Sequence, residues 1–162
     1  MNYPENIKKL KDLLSHSRIC MLSTYTNSEG VHTRPMAFQQ LEEDGSIWFF
    51  TNEYSPKTEE ISINHEVSIS FSNESQSNYV VLKGQARLSK DKAKMEELFN
   101  PMVKVWFPKG LDDPKMALIK VEVVAAEYWD NTSSTMVMLF NAAKSLVTGE
   151  MYDEGEHGKI NL

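Results

Sequence analysis

A chain of 162 residues, 41% of them hydrophobic, fits one domain (1–162) that can bury about two thirds of its unfolded surface without disulfide or metal staples. Its 23 acidic against 17 basic residues give a net charge of -6, which argues against non-specific binding to nucleic acid or an anionic membrane, so any bound anion must be captured locally. The single cysteine, Cys20, excludes an internal disulfide, and no stretch approaches the roughly 20 apolar residues of a membrane span, so a cytoplasmic protein is expected.

Ile7, Leu10, Leu13 and Leu14 recur at helical spacing, which predicts an amphipathic helix over about 5–17 that covers an open end of a sheet. Arg18 to Tyr25, a turn cluster at 26–30 and Val31 to Leu41 read as a β-hairpin. An acidic turn at 42–45 leads into the aromatic strand Ile47 to Thr51, where alternation puts Trp48 and Phe50 on one face and Phe49 on the other. A barrel core accounts for at least two of these three rings.

Residues 55–57, Ser-Pro-Lys, then open a helix over 56–64. Ser55 can cap it, and Pro56 suits the first helical position, where an N–H would be unpaired anyway. Lys57 is the odd residue, because a cation in the first turn opposes the helix macrodipole by about 0.3–1 kcal/mol. Unpaired N–H groups, a serine hydroxyl and an ammonium together make an anion site, and the neighbouring aromatics could meet a ring system. A nucleotide is the ligand of that shape.

Further strands are predicted at Glu66 to Ser72, whose apolar residues alternate, and at Tyr79 to Leu88, where Gly84 marks a bulge or a close approach. Lys90 to Phe99 reads as a helix capped by Ser89, and Val103 to Phe107 as a short helical piece before a breaker cluster at 108–110. Met116 to Trp129 is a long strand, Thr135 to Phe140 a last one leading into a helix that stops at Gly149, and 149–162 a tail. Six or seven strands in short antiparallel connections predict a mainly β fold with peripheral helices, a closed or split β-barrel.

Arg34-Pro35-Met36, the stretch from Phe49 to Ile61, residues 79–89 (YVVLKGQARLS) and residues 127–130 (EYWD) come in an order that resembles the FMN-binding split-barrel family. That family includes pyridoxamine 5′-phosphate oxidase and related general stress proteins, and the EYWD segment brings the chain nearest to the latter. The resemblance implies a six- to seven-stranded antiparallel FMN-binding split barrel. It implies that Arg34 contacts the phosphate side of FMN, that Thr51 contacts the flavin, and that Ser55 and Lys57 hold the phosphate, with Pro35, Met36, Phe50 and Thr58 around them. Tyr79 aligns with a polar flavin contact of the oxidases, and Trp106 or Trp129 would reach a flavin held mainly by the other chain of a homodimer, whose cofactor groove lies at the interface.

Two departures bear on function. The oxidases carry a substrate lysine where this chain has Gln39, and their Arg-x-His pair after the tryptophan is replaced here by residues 130–134 (DNTSS), so vitamin B6 oxidation is not expected. His16, His32, His65 and His157 show no metal spacing, no nucleophile-base set is defensible, and the acid pairs Glu42-Glu43, Glu59-Glu60 and Glu96-Glu97 read as exposed faces. The expectation is a flavin-dependent oxidoreductase of the general stress protein type, holding FMN (or FAD) and reduced by NAD(P)H or a small molecule, with no catalytic side chain assigned. Alternatives are a flavin-sequestering protein without turnover and a same-fold deazaflavin or haem binder.

Overall fold

The computed structural model describes residues 3–130, 144–149 and 155–162. Its first element, α1 (Tyr3–Leu14), buries Ile7, Leu10, Leu13 and Leu14 as their spacing predicts, and ends three residues before the expected 17. The hairpin follows as β1 (Ile19–Thr26) and β2 (Gly30–Ala37), joined by a turn in which Gly30 takes the positive φ of 76° that a side chain would resist. Then come β3 (Ser46–Asn52), α2 (Pro56–Ile63), β4 (Glu66–Asn73) and β5 (Asn78–Ser89).

Two short helices fall within a few residues of their predicted places, the first with a cap other than the expected Ser89. In α3 (Lys92–Leu98) the Asp91 carboxylate, rather than Ser89, accepts from the Lys94 N–H, and in α4 (Pro101–Trp106) the Asn100 side chain accepts from Met102 and Val103. The long strand is β6 (Met116–Asp130). The strand expected at Thr135 to Phe140 lies outside the described residues, whereas residues 144–148 are helical and Gly149 has φ 70°. Six residues of the expected tail instead form a strand, β7 (Glu156–Asn161), whose backbone pairs with β6 although its sequence has no apolar alternation and buries only Ile160.

All the pairings are antiparallel, in the order β2-β1-β4-β5-β6-β3, and the sheet curls into a half-barrel. β6 is its spine. On one side it pairs along β5, and on the other it pairs first with β3 (116–122) and then with β7 (125–130). The change comes at a register shift between Lys83 and Gly84, where a Cβ on Gly84 would stand 2.7 Å from the Glu122 carbonyl oxygen.

The inner surface of the sheet carries the main core, including Leu22, Phe49, Ile69, Leu82 and Val121, closed at one end by α1. A second cluster on the outer surface of β3 and β6 joins Phe50 and Trp48 to Leu118, Met95, Val103 and Phe107, so α3 and α4 cover that stretch. No helix among the described residues is long and apolar enough to cross a membrane.

Candidate anion-binding site

β3 delivers Thr51 to the inner surface, and the turn after it brings Ser55 and Lys57 to the start of α2. Thr51 is buried, and its hydroxyl lies 3.3 Å from that of Ser55. Ser55 has the extended backbone of an N-cap (φ -76°, ψ 153°), yet its hydroxyl makes no capping bond and contacts the Thr51 hydroxyl instead. The turn is secured by other groups. Thr58 Oγ1 donates to the carbonyls of Glu53 (2.7 Å) and Ser55 (2.6 Å), Glu53 N–H donates to Lys115 O (2.8 Å), and Lys90 Nζ pairs with the Glu53 carboxylate at 2.6 Å. The Thr58 hydroxyl is therefore engaged in holding the helix start.

Arg34 reaches the same region from β2. Its Nη1 donates to Thr24 Oγ1 (2.6 Å) and its Nη2 to Glu60 Oε2 (2.5 Å), while Thr24 itself donates to Glu60 Oε2 (2.5 Å). The other oxygen of Glu60 contacts His32 Nδ1 at 2.7 Å. Glu60 is only 6% exposed, which corrects the expectation that Glu59-Glu60 form a solvated helix face. Burial opposes its ionisation, but the hydrogen bonds from Thr24, His32 and Arg34 and the guanidinium charge outweigh it and hold the carboxyl below its usual range. Glu29, His32 and Glu60 also bring potential metal-ligand atoms within 4.8 Å of one another, but Arg34 already supplies positive charge at the carboxylate they share.

Lys57 stands apart from this network. It is partly buried and forms no hydrogen bond or ion pair among the described residues, and burial first, then repulsion from Arg34, pull its pKa below the ordinary lysine value against an opposing pull from Glu60. At the second helical position its backbone N–H also has no intrahelical acceptor. The start of α2 thus presents an ammonium, a serine hydroxyl and a backbone donor, next to a guanidinium with further N–H groups, and the carboxylate that the described residues bring to this cluster is that of Glu60, bound to Arg34.

A family model for pyridoxamine 5′-phosphate oxidase like proteins matches residues 5–153. The chain belongs to the pyridoxamine 5′-phosphate oxidase like family. Protein bli-3 of Neurospora crassa is 26% identical over 156 residues, covering 90% of this chain and 75% of that protein. A crystal structure of the general stress FMN/FAD binding protein from Xanthomonas citri superposes with a TM-score of 0.69 at 30% identity, covering 80% of this chain and 92% of that one. A protein assigned to general stress protein 26 of Jannaschia shares the fold, with a TM-score of 0.77 at 23% identity over 98% of this chain and 97% of that one.

In this pyridoxamine 5′-phosphate oxidase like protein the other residues singled out from sequence divide between the two surfaces of the sheet. Met36 is buried on the inner surface with Arg34, whereas Pro35 points the opposite way and Phe50 packs into the cluster under α3 and α4. Tyr79 and Trp129 sit opposite each other in the β5-β6 register, on the outer surface, and the Trp129 ring stacks on His157 at 5.1 Å. Trp106 ends α4 and is 79% exposed. Within one chain, then, Arg34 lies within electrostatic reach of Lys57, and Thr51 contacts Ser55 at the start of the same helix, while Tyr79 and Trp129 lie on the other surface of the sheet and Trp106 at the end of α4. Gln39, at the position of the oxidases' substrate lysine, lines a cleft of about 230 Å³ with Lys11 and Phe38.

Sequence reasoning missed Thr24, His32 and Glu60. A signal was there: His32 and Arg34 alternate onto one face of β2, and Glu60 follows Lys57 by three residues on α2, so a carboxylate was placed to face the same strand.

Proposed function

We propose that this chain is a cytoplasmic, homodimeric flavoprotein that binds FMN, with FAD as the second candidate, and acts as a flavin-dependent oxidoreductase of the general stress protein type. The observation that carries the reading is Lys57, a partly buried ammonium that forms no ion pair among the described residues, is repelled by Arg34 and is only partly offset by Glu60, at a helix start whose Ser55 hydroxyl makes no capping bond. An isolated cation in that position is unfavourable unless an anion completes it, and a phosphate at a helix start is the anion that such donors suit. The Xanthomonas citri relative, an FMN/FAD binding protein by name, supports flavin as the body attached to that phosphate.

In this reading Arg34, Ser55 and Lys57 hold the phosphate, Thr51 orients the group beside it, and Glu53 with Lys90 keeps the turn in place. The flavin, when bound, supplies reversible hydride chemistry, and the chain supplies binding and orientation. The second copy explains the outer-surface aromatics: Tyr79 and Trp129, remote from Arg34 in their own chain, are available to a neighbour's site. The outer surface of β1 and β2 is apolar enough for such contact, with Ile19, Met21, Tyr25 and Val31 all exposed.

The test is the cofactor carried by the purified protein, identified by mass after extraction. A yellow preparation absorbing near about 450 nm that yields FMN or FAD is expected. Bleaching by NAD(P)H without a second enzyme is the result expected of an oxidoreductase, and its absence would leave a flavin holder. A colourless protein that takes up no added FMN would refute the proposal.

A further inference from the structure

The site carries an anion of its own. Arg34 and Lys57 are two cations side by side, and Glu60 meets one of them through Thr24 and the guanidinium Nη2. Glu60 cannot easily turn away, because its second oxygen is held by His32 Nδ1 at 2.7 Å and the residue is almost fully enclosed. The groups that face it are Arg34 and His32 from β2, Thr24 from β1, Glu29 from the hairpin turn, 3.7 Å from His32, and Lys57 from its own helix. Arg34, Lys57 and Glu60 by themselves sum to a single positive charge, which the more exposed Glu29 carboxylate at the edge of the centre offsets further.

Resting on the flavin reading above, we propose that Glu60 is a specificity-determining residue, an internal competitor for Arg34 that restrains how strongly the site prefers the dianionic phosphomonoester of FMN over the singly charged phosphates of FAD. The physical reason is symmetrical. The carboxylate occupies N–H groups that a phosphate would otherwise take, and its charge repels a dianion about twice as strongly as a monoanion at the same place. In exchange it keeps Arg34 and Lys57 together in the absence of ligand, where their mutual repulsion would otherwise be uncompensated.

Glu60→Gln preserves the shape: the amide oxygen can accept from Thr24 and Arg34, and the amide nitrogen can donate to His32. Dissociation constants for FMN, FAD and riboflavin are measured by flavin fluorescence on the wild type and the variant. FMN is expected to bind about tenfold tighter to the variant, FAD by a smaller factor, and riboflavin to within about twofold. Weaker FMN binding, or equal shifts for all three ligands, would overturn the proposal, because a merely structural Glu60 does exactly that to every ligand alike. Should the unpaired Arg34 destabilise the single variant, the comparison is made between Arg34→Gln and Arg34→Gln/Glu60→Gln, the double variant leaving neither charge of the pair without its partner, with tighter FMN again expected on removal of the carboxylate.

A second readout needs no flavin. The amine of Lys57, labelled by reductive ¹³C-methylation and assigned with Lys57→Arg, is titrated by NMR in the same proteins. Loss of Glu60 is expected to lower its pKa, and an unmoved titration would overturn the proposal. If the wild type binds none of the three flavins, the flavin reading fails, and the Lys57 titration still decides whether Glu60 sets the charge of the site.

Discussion

Replacing Lys57 with methionine separates the demands of folding from those of binding. Methionine keeps much of the side-chain stem and removes the charge. In the ligand-free protein the ammonium is partly desolvated, faces the positive end of α2 and is repelled by Arg34, with Glu60 compensating in part. Because the group is also partly solvent-screened, its removal is expected to stabilise by no more than about 0.5 kcal/mol. For a chain of this size that is a rise in Tm of about 1–2 °C. Loss of one charge-assisted contact to a phosphate works the other way, by about 1.5–3 kcal/mol, or roughly ten- to a hundredfold in Kd. Parallel fluorescence titrations with FMN and riboflavin, and thermal melts of the ligand-free proteins, read both effects. The expected variant melts slightly higher, binds FMN much more weakly and holds riboflavin unchanged. Equal losses for FMN and riboflavin, or a melting point lowered by several degrees, would show that Lys57 is structural and that the phosphate sits elsewhere.

Gly84→Ala should cost about 1–3 kcal/mol, because the new methyl meets the Glu122 carbonyl oxygen and Val121 Cγ1, both at 2.7 Å, at the register shift of the sheet; denaturant unfolding measures it. Glu60 is held ionised below its usual range, so its contribution to stability is present above the ordinary glutamate pKa of about 4.3 and is lost as pH falls through the lower folded value. Stability followed by urea melts from pH 7 to pH 3 should therefore fall more steeply for the wild type than for Glu60→Gln. Burial raises the Cys20 thiol to about 12, so iodoacetamide should leave it unmodified in the native protein at pH 8 and alkylate it once urea unfolds the chain.

Much of this architecture was legible because local rules and tertiary needs agree. Ile7, Leu10, Leu13 and Leu14 mark one helix face, and the alternation of Val67, Ile69 and Phe71 marks a half-buried strand that the structure reproduces. Ser55, Pro56 and Lys57, three consecutive residues, pointed to the start of α2 and to its electrostatic oddity. Glu60 was not legible in the same way. Helix α2 buries only Thr58, Glu60 and Ile61 and leaves Ile63 exposed, so its apolar periodicity says little about which face is turned inward. What buries Glu60 is a strand 26 residues earlier in the chain, through Arg34. β7 was missed for a related reason: its pairing is carried by backbone groups, and residues 156–161 (EHGKIN) contain one apolar side chain to announce it. Trp129 was expected to reach a flavin held mainly by the other chain, and the register places it on the surface opposite Arg34 within its own.

The division of β6 between two partners has a consequence for how the protein is made. Residues 116–122 find β3, which precedes them, but residues 125–130 find β7, the last of the described strands to be synthesised. Until β7 arrives, six of the fifteen residues of β6 offer on that edge a row of N–H and C=O groups without their β7 partners to any extended peptide nearby. Its arrival also ties the molecule together: Asn6 on α1 donates to the Asn161 carbonyl (3.0 Å), Lys9 pairs with Glu156 (3.3 Å), and Tyr128 donates to Glu156 (2.6 Å). Nascent chains stalled before residue 156 should thus be the aggregation-prone population in the cell, with the closing of that edge serving as the moment at which the first helix and the last strand commit to one another.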